Sequence, residues 1–150
     1  MTASSPKSAP GSPAIVDVYA DIASDGSLAF SHDWRWENGP SEGKGAINVP
    51  KRAEHDPGTP IHFHLHDQTN RHLNFSDDAL GAIWVSRRGC PKTAASDDEI
   101  PQQGIEVHPK LLKLFNANNE ECVLHYCLRF TGKDGQTESY DPEIKNGGKS

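Results

Sequence analysis

The chain of 150 residues has only three cysteines, Cys90, Cys122 and Cys127, and a single methionine, Met1. An odd, sparse set without a CxxC pair is not a disulfide framework, so reduced thiols and a cytoplasmic location are expected. Cys122 and Cys127 have opposite parity on one predicted strand and should face opposite ways. No apolar run approaches the roughly 20 residues that span a bilayer, and the opening MTASSPKSAPGSP lacks the apolar segment of a secretory signal. Cations are scarce: 15 Lys and Arg stand against 21 Asp and Glu, a net charge of −6, and Lys51-Arg52 and Arg87-Arg88 are isolated pairs. Nucleic acids and anionic membranes are bound by clustered cations that displace counterions, so neither is an expected partner. A phosphate-cradling glycine loop, a nucleophile elbow and paired carboxylates at interpretable spacing are also missing.

Helical periodicity is nearly absent too. The apolar residues recur at period two, in short runs broken by Gly, Pro, Asp and Asn. Ala14–Ala20 is one such run. Asp25-Gly26 supplies a tight turn, and the next run puts Leu28, Phe30, His32, Trp34 and Trp36 on one face. This reads as a hairpin with an aromatic inner face. Ala46–Val49, Ile61–Asp67, His72–Phe75, Ala82–Ser86, Ile105–His108 and Lys110–Phe115 are further short strands. The clearest strand is Glu121–Phe130, with Cys122, Leu124, Tyr126, Leu128 and Phe130 inward and Val123, His125, Cys127 and Arg129 outward. Thr137–Tyr140 returns after the Lys133-Asp134-Gly135 turn, and Asp141-Pro142 is expected to close the domain.

About eight short strands without ordinary helices predict an all-β fold, an antiparallel two-sheet β-sandwich spanning residues 14–144. Mean hydropathy of −0.70 is polar for a globular chain. A flexible tail over residues 1–13 and a loose C-terminus over 145–150 are therefore expected. The segments Ala82-Ile-Trp-Val85, Leu128-Arg-Phe130 and Tyr140-Asp-Pro-Glu-Ile-Lys-Asn-Gly-Gly148 resemble small bacterial β-sandwich proteins of immunoglobulin-like or cupredoxin-like shape. The resemblance covers Ile61–Gly148. It implies a fold and no activity.

One strand carries a chemical pattern. In Pro60-Ile-His-Phe-His-Leu-His-Asp67, Ile61, Phe63 and Leu65 should enter the core while His62, His64 and His66 line the opposite face. Alternate residues lie roughly 6.6 Å apart along a strand, so two imidazoles can share one metal but three span too far. A site would pair His62/His64 or His64/His66 with ligands from elsewhere. His125 and Cys127, themselves a same-side pair, are the expected partners if their strand is a neighbour, giving a mixed N/S set suited to zinc or copper. A three-histidine zinc site with an open position would instead activate water, the chemistry of a hydrolase or hydratase. With Met1 the only methionine, a Cys-His-Met copper cluster near the C-terminus is disfavoured. The plainer alternatives are a polar outer face, or a pH-responsive one, since close imidazoles repel when protonated.

Trp84 is expected in the core, with Trp34 and Trp36 less decided. Asp77-Asp78 and Asp97-Asp98-Glu99 lack calcium-loop spacing and read as solvated turns, and Cys90 reads as a free loop thiol. The leading functional expectation is a non-enzymatic binding or interaction module. Exposed sheet edges or the aromatic hairpin would contact a protein partner or a second copy of the chain. A zinc- or copper-binding protein is the alternative.

Overall fold

The computed structural model describes residues 12–149. The expected N-terminal tail therefore lies, up to residue 11, outside the described residues. Strand β1 (Ala14–Ile22) turns through Asp25-Gly26 into β2 (Leu28–Trp36). The Asp25 carboxylate accepts the Ser27 N–H at 2.9 Å, and Gly26 takes a φ of +88°, as the turn requires. The two strands pair antiparallel from Ala14↔Trp36 to Ile22↔Leu28. The aromatic face expected of this hairpin does point inward: Trp34 and Trp36 are buried, and Phe30 stacks on Phe130.

The chain continues through β3 (Ser41–Gly43), β4 (Ile47–Val49), β5 (Thr59–Asp67) and β6 (Asn74–Phe75). A single helical turn, α1 (Ala79–Ala82), is capped by the Asp78 carboxylate on the Gly81 N–H and leads into β7 (Ile83–Ser86). There follow β8 (Glu106–Val107), β9 (Leu111–Asn116), β10 (Glu121–Thr131), β11 (Thr137–Tyr140) and β12 (Glu143–Gly147). One sheet has the order β3-β2-β1-β5-β9-β8. The other has the order β11-β10-β12-β4, with β6 and β7 also pairing with β10. The two pack face to face around Val16, Val18, Ile61, Phe63, Leu112 and Leu114 on one side and Leu124, Tyr126, Leu128, Phe130 and Ile144 on the other. No helix among the described residues is long and apolar enough to cross a membrane.

The all-β sandwich is as expected, but it is not purely antiparallel. β1 pairs parallel with β5, and β12 parallel with β4. Short turns force antiparallel pairing only between strands adjacent in sequence. The chain reaches β5 from β1 by way of β2, β3 and β4, a path long enough to bring it back in the same direction.

The C-terminus, expected loose from residue 145, is a paired strand instead. Glu121–His125 pair with Glu143–Gly147, and Ile144 and Asn146 are buried. Asp141-Pro142 does not close the domain; the buried Pro142 accepts the Tyr126 N–H through its carbonyl and starts β12. Glycine makes the last step possible. A Cβ on Gly147 would sit 2.4 Å from the Lys51 backbone nitrogen.

The core carries an uncompensated hydroxyl. Tyr126 is fully buried, and its hydroxyl has no hydrogen-bond partner among the described residues. A buried hydroxyl without a partner retains its desolvation penalty. Tyr126→Phe is therefore expected to raise stability by about 1 kcal/mol. The check is the urea midpoint at unchanged m-value; a lower midpoint would show that the hydroxyl is satisfied in solution.

Candidate functional site

Strand β5 lies in the middle of its sheet, between β1 and β9. Its inward residues Ile61, Phe63 and Leu65 are buried, as parity requires. Its outward residues form the histidine row. The parallel register sets Ile15 beside His62, Asp17 beside His64 and Tyr19 beside His66, and the antiparallel register sets Lys113 beside His62 and Leu111 beside His64. Arg35 and Asp33 of β2 stand beside Ile15 and Asp17. The outer face is thus a row of imidazoles between an aliphatic, acidic and aromatic strand on one side and a basic, apolar one on the other.

His66, the exposed one of the three, is held by two residues of β1. Its Nε2 lies 2.8 Å from Asp17 Oδ1, and its ring stacks on Tyr19 at 4.9 Å between centroids. His62 and His64 are half-buried among their neighbours. Burial is the main reason that both titrate below an ordinary histidine. For His62 the charges of Lys113 and His64 add to the lowering, against Glu37 and Glu106. For His64, Asp17 opposes it while His66, Arg35 and Lys113 reinforce it. Both rings are therefore neutral at pH 7, with lone pairs available.

This lowering makes the fold pH-dependent. Between the depressed folded values and the ordinary 6.5, the unfolded chain binds more protons than the folded one. Stability contributed by His62 and His64 is full above pH 6.5 and falls as pH drops through their folded values. Urea midpoints measured with a chelator present from pH 7.5 to pH 5 should decline, and the His62→Asn/His64→Asn variant should show a flatter profile. An unchanged slope in that variant would contradict the assignment.

The expected partners of this row do not come near it. His125 and Cys127 lie on β10, in the opposite sheet, and their side chains point away from the core that separates the sheets. The buried faces of β5 and β10 meet instead, through Phe63 and Tyr126 at 5.4 Å. The mixed set His62, His64, His125 and Cys127 is therefore not assembled within the chain. Among the described residues, no group of three or more His, Cys, Asp or Glu side chains is placed to hold a metal ion.

His125 pairs instead with Glu143, Nδ1 to Oε2 at 3.3 Å. Cys127 is buried, and burial, reinforced by Asp141, pushes its thiol up to about 11. A thiol held so firmly in the protonated form is a poor ligand and nucleophile. Trp84, in register with Cys127, is the tryptophan that faces outward; its ring carries the Arg129 guanidinium at 3.8 Å. The core expectation for Trp84 thus fails, because Ile83 and Val85 on either side take the inward positions.

Two buried polar arrangements went unread in the sequence. His32 joins the sheets: its Nε2 lies 2.8 Å from the Gly45 carbonyl and its Nδ1 2.6 Å from the Tyr140 hydroxyl. A carbonyl only accepts, so Nε2 carries the proton and, in the neutral ring, Nδ1 accepts from Tyr140. Glu99, read as part of a solvated turn, is buried with Asn116, Asn118 and Asn146. Both arrangements are structural.

These observations define the class: an all-β sandwich of two mixed sheets, one of which presents a histidine-lined outer face. No family model matches the chain, and no curated protein matches it.

Proposed function

We propose that this chain is a non-enzymatic binding module whose contact surface is the outer face of the β3-β2-β1-β5-β9-β8 sheet, and that its occupant is a second copy of the chain. The observation that carries this reading is the composition of that face. Half-buried Tyr19, His62, His64, Leu111 and Phe115 supply apolar and aromatic surface, with Asp17 and Lys113 set among them and Asp33 and Arg35 on the next strand. Protein interfaces are enriched in aromatic side chains of this kind. A face that carries both signs can also be met by its own copy, and two-fold dimers are the commonest oligomers. The hairpin aromatics, being inside, do not take part.

The test is light scattering across a wide concentration range. The mass should rise from 16.4 kDa towards twice that value. The Tyr19→Ser/Lys113→Glu variant should stay monomeric while keeping its fold. A strict monomer at every concentration overturns this reading. The two-layer architecture also supports membership of the immunoglobulin-like or cupredoxin-like sandwiches of small bacterial proteins, and the unpaired thiols support a cytoplasmic location.

A second reading rests on the His62/His64 pair alone. Two neutral, same-side imidazoles at alternate strand positions form a two-nitrogen chelate for zinc or copper, the other positions being filled from outside the chain. Hydrolysis or hydration would follow only from such a metal. Elemental analysis of protein purified without a histidine tag decides: stoichiometric zinc or copper, lost in His64→Ala, supports it. Substoichiometric metal unaffected by that substitution overturns it.

A further inference from the structure

Of the three imidazoles on the outer face of β5, one is engaged and two are not. His66 is held by Asp17 and Tyr19. Among the described residues, His62 and His64 take part in no hydrogen bond or ion pair, although both rings are half-buried. They occupy successive outward positions of a strand that runs through the middle of its sheet. A single chain therefore offers a metal two nitrogens, and among the described residues no third ligating side chain joins them. Structural zinc is four-coordinate and tetrahedral, so two nitrogens are half of what it takes.

Self-association through this same face supplies the other half. A two-fold axis repeats each residue of the face on the facing copy, so a His62/His64 pair that lies on the axis meets its own image. Stacked sheets are about 10 Å apart, and a point midway is about 5 Å from each backbone. Alternate residues are roughly 6.6 Å apart, so that point lies about 6 Å from the Cα atoms of all four histidines. An imidazole and a metal–nitrogen bond of about 2.0–2.1 Å cover that span. By the same geometry His66 would stand about 11 Å away, out of reach.

The charges that act on the pair do not oppose a dication: Lys113 and Arg35 are set against Asp17, Glu37 and Glu106. Asp17 and Lys113 lie on opposite sides of β5, Asp17 beside His64 and Lys113 beside His62. Two copies crossed about the metal can thus bring the Asp17 of each towards the Lys113 of the other.

We propose that one zinc ion is held between two copies of the chain by His62 and His64 of each. This rests on the self-association proposed above, and it names the source of the ligands that one chain lacks. Four imidazoles arranged as a tetrahedron suit zinc, which has no geometric preference of its own. A shell closed in this way keeps no position for water, so the site joins two chains and does not catalyse.

The experiment uses the full chain purified without a histidine tag, stripped with a chelator, and titrated with zinc chloride during sedimentation equilibrium. Binding should saturate at one zinc per two chains. Free zinc at about a hundred times its dissociation constant should tighten the dimer by about a hundredfold. His62→Asn and His64→Asn are outward changes that should leave the circular dichroism spectrum unchanged. Each should remove the zinc effect, because the two-fold axis takes away two of the four ligands at once. His66→Asn should keep it. Cobalt in place of zinc should show the intense visible bands of a tetrahedral site. Saturation at one zinc per chain with an unchanged dimer affinity overturns the inference. A dimer that forms equally with and without zinc also overturns it, and leaves the self-association standing. Chains that stay monomeric in both conditions overturn the two together.

Discussion

Replacing Glu99 with alanine is expected to cost about 4 kcal/mol, close to half the stability of an ordinary domain. Its carboxylate accepts the Asn119 N–H at 3.0 and 2.8 Å, the Glu120 N–H at 3.1 Å and the Asn146 amide at 3.3 Å. Asn146 and Asn116 exchange amide hydrogen bonds at 2.7 and 3.0 Å, and Asn118 joins them to the Gly148 N–H and the Pro50 carbonyl. This network ties the end of β9, the start of β10 and the end of β12 to the loop before the short 3₁₀ turn Gln102–Gly104. Truncating Glu99 removes the charged acceptor of two part-buried backbone N–H groups and of the buried Asn146 amide, which keeps its bond to Asn116, and a hydrogen bond to a charged group is worth about 1.5–3 kcal/mol. Glu99→Gln keeps one acceptor oxygen and should lose about half as much. Equilibrium urea unfolding of both variants checks this. A Glu99→Ala protein within about 1 kcal/mol of the parent would mean that water replaces the carboxylate at little cost.

Glu99 also marks where sequence reading stops. Ser96-Asp97-Asp98-Glu99 is polar throughout, and nothing in its composition separates the one buried carboxylate from its exposed neighbour Asp98. Local alternation was legible wherever a strand was long enough to repeat it. Ile61, Phe63 and Leu65 on β5, Trp34 and Trp36 on β2, and the five inward residues of β10 all follow from period two. The four-residue β7 was too short to impose its phase against the expectation that a tryptophan belongs inside. Which strands become neighbours was not legible, because pairing between β1 and β5, or β4 and β12, depends on contacts far apart in sequence. That is why the histidine row is legible, while the condition that would bring His125 and Cys127 to it, a neighbouring strand, is not met.

The second large effect tests the phase assignment of the aromatic residues. Phe130 is fully buried and touches both halves of the sandwich: its ring lies 5.2 Å from Phe30 of β2 and 5.0 Å from Phe75 of β6. Phe130→Ala removes that burial and opens a cavity among side chains held by two sheets, so a loss of about 3–5 kcal/mol is expected. Trp84 is larger, yet Trp84→Ala should cost only about 1–2 kcal/mol. What it loses is the Arg129 contact at 3.8 Å and the hydrogen bond from Nε1 to the Leu80 carbonyl at 2.8 Å, both at the surface. Denaturant unfolding of the two variants under one set of conditions gives the comparison directly. If Trp84→Ala is as damaging as Phe130→Ala, then Trp84 is a core residue and β7 is turned over relative to β10. If the smaller side chain is the costlier one to remove, burial and not size sets the energetics of this sandwich, as the inward position of Phe130 requires.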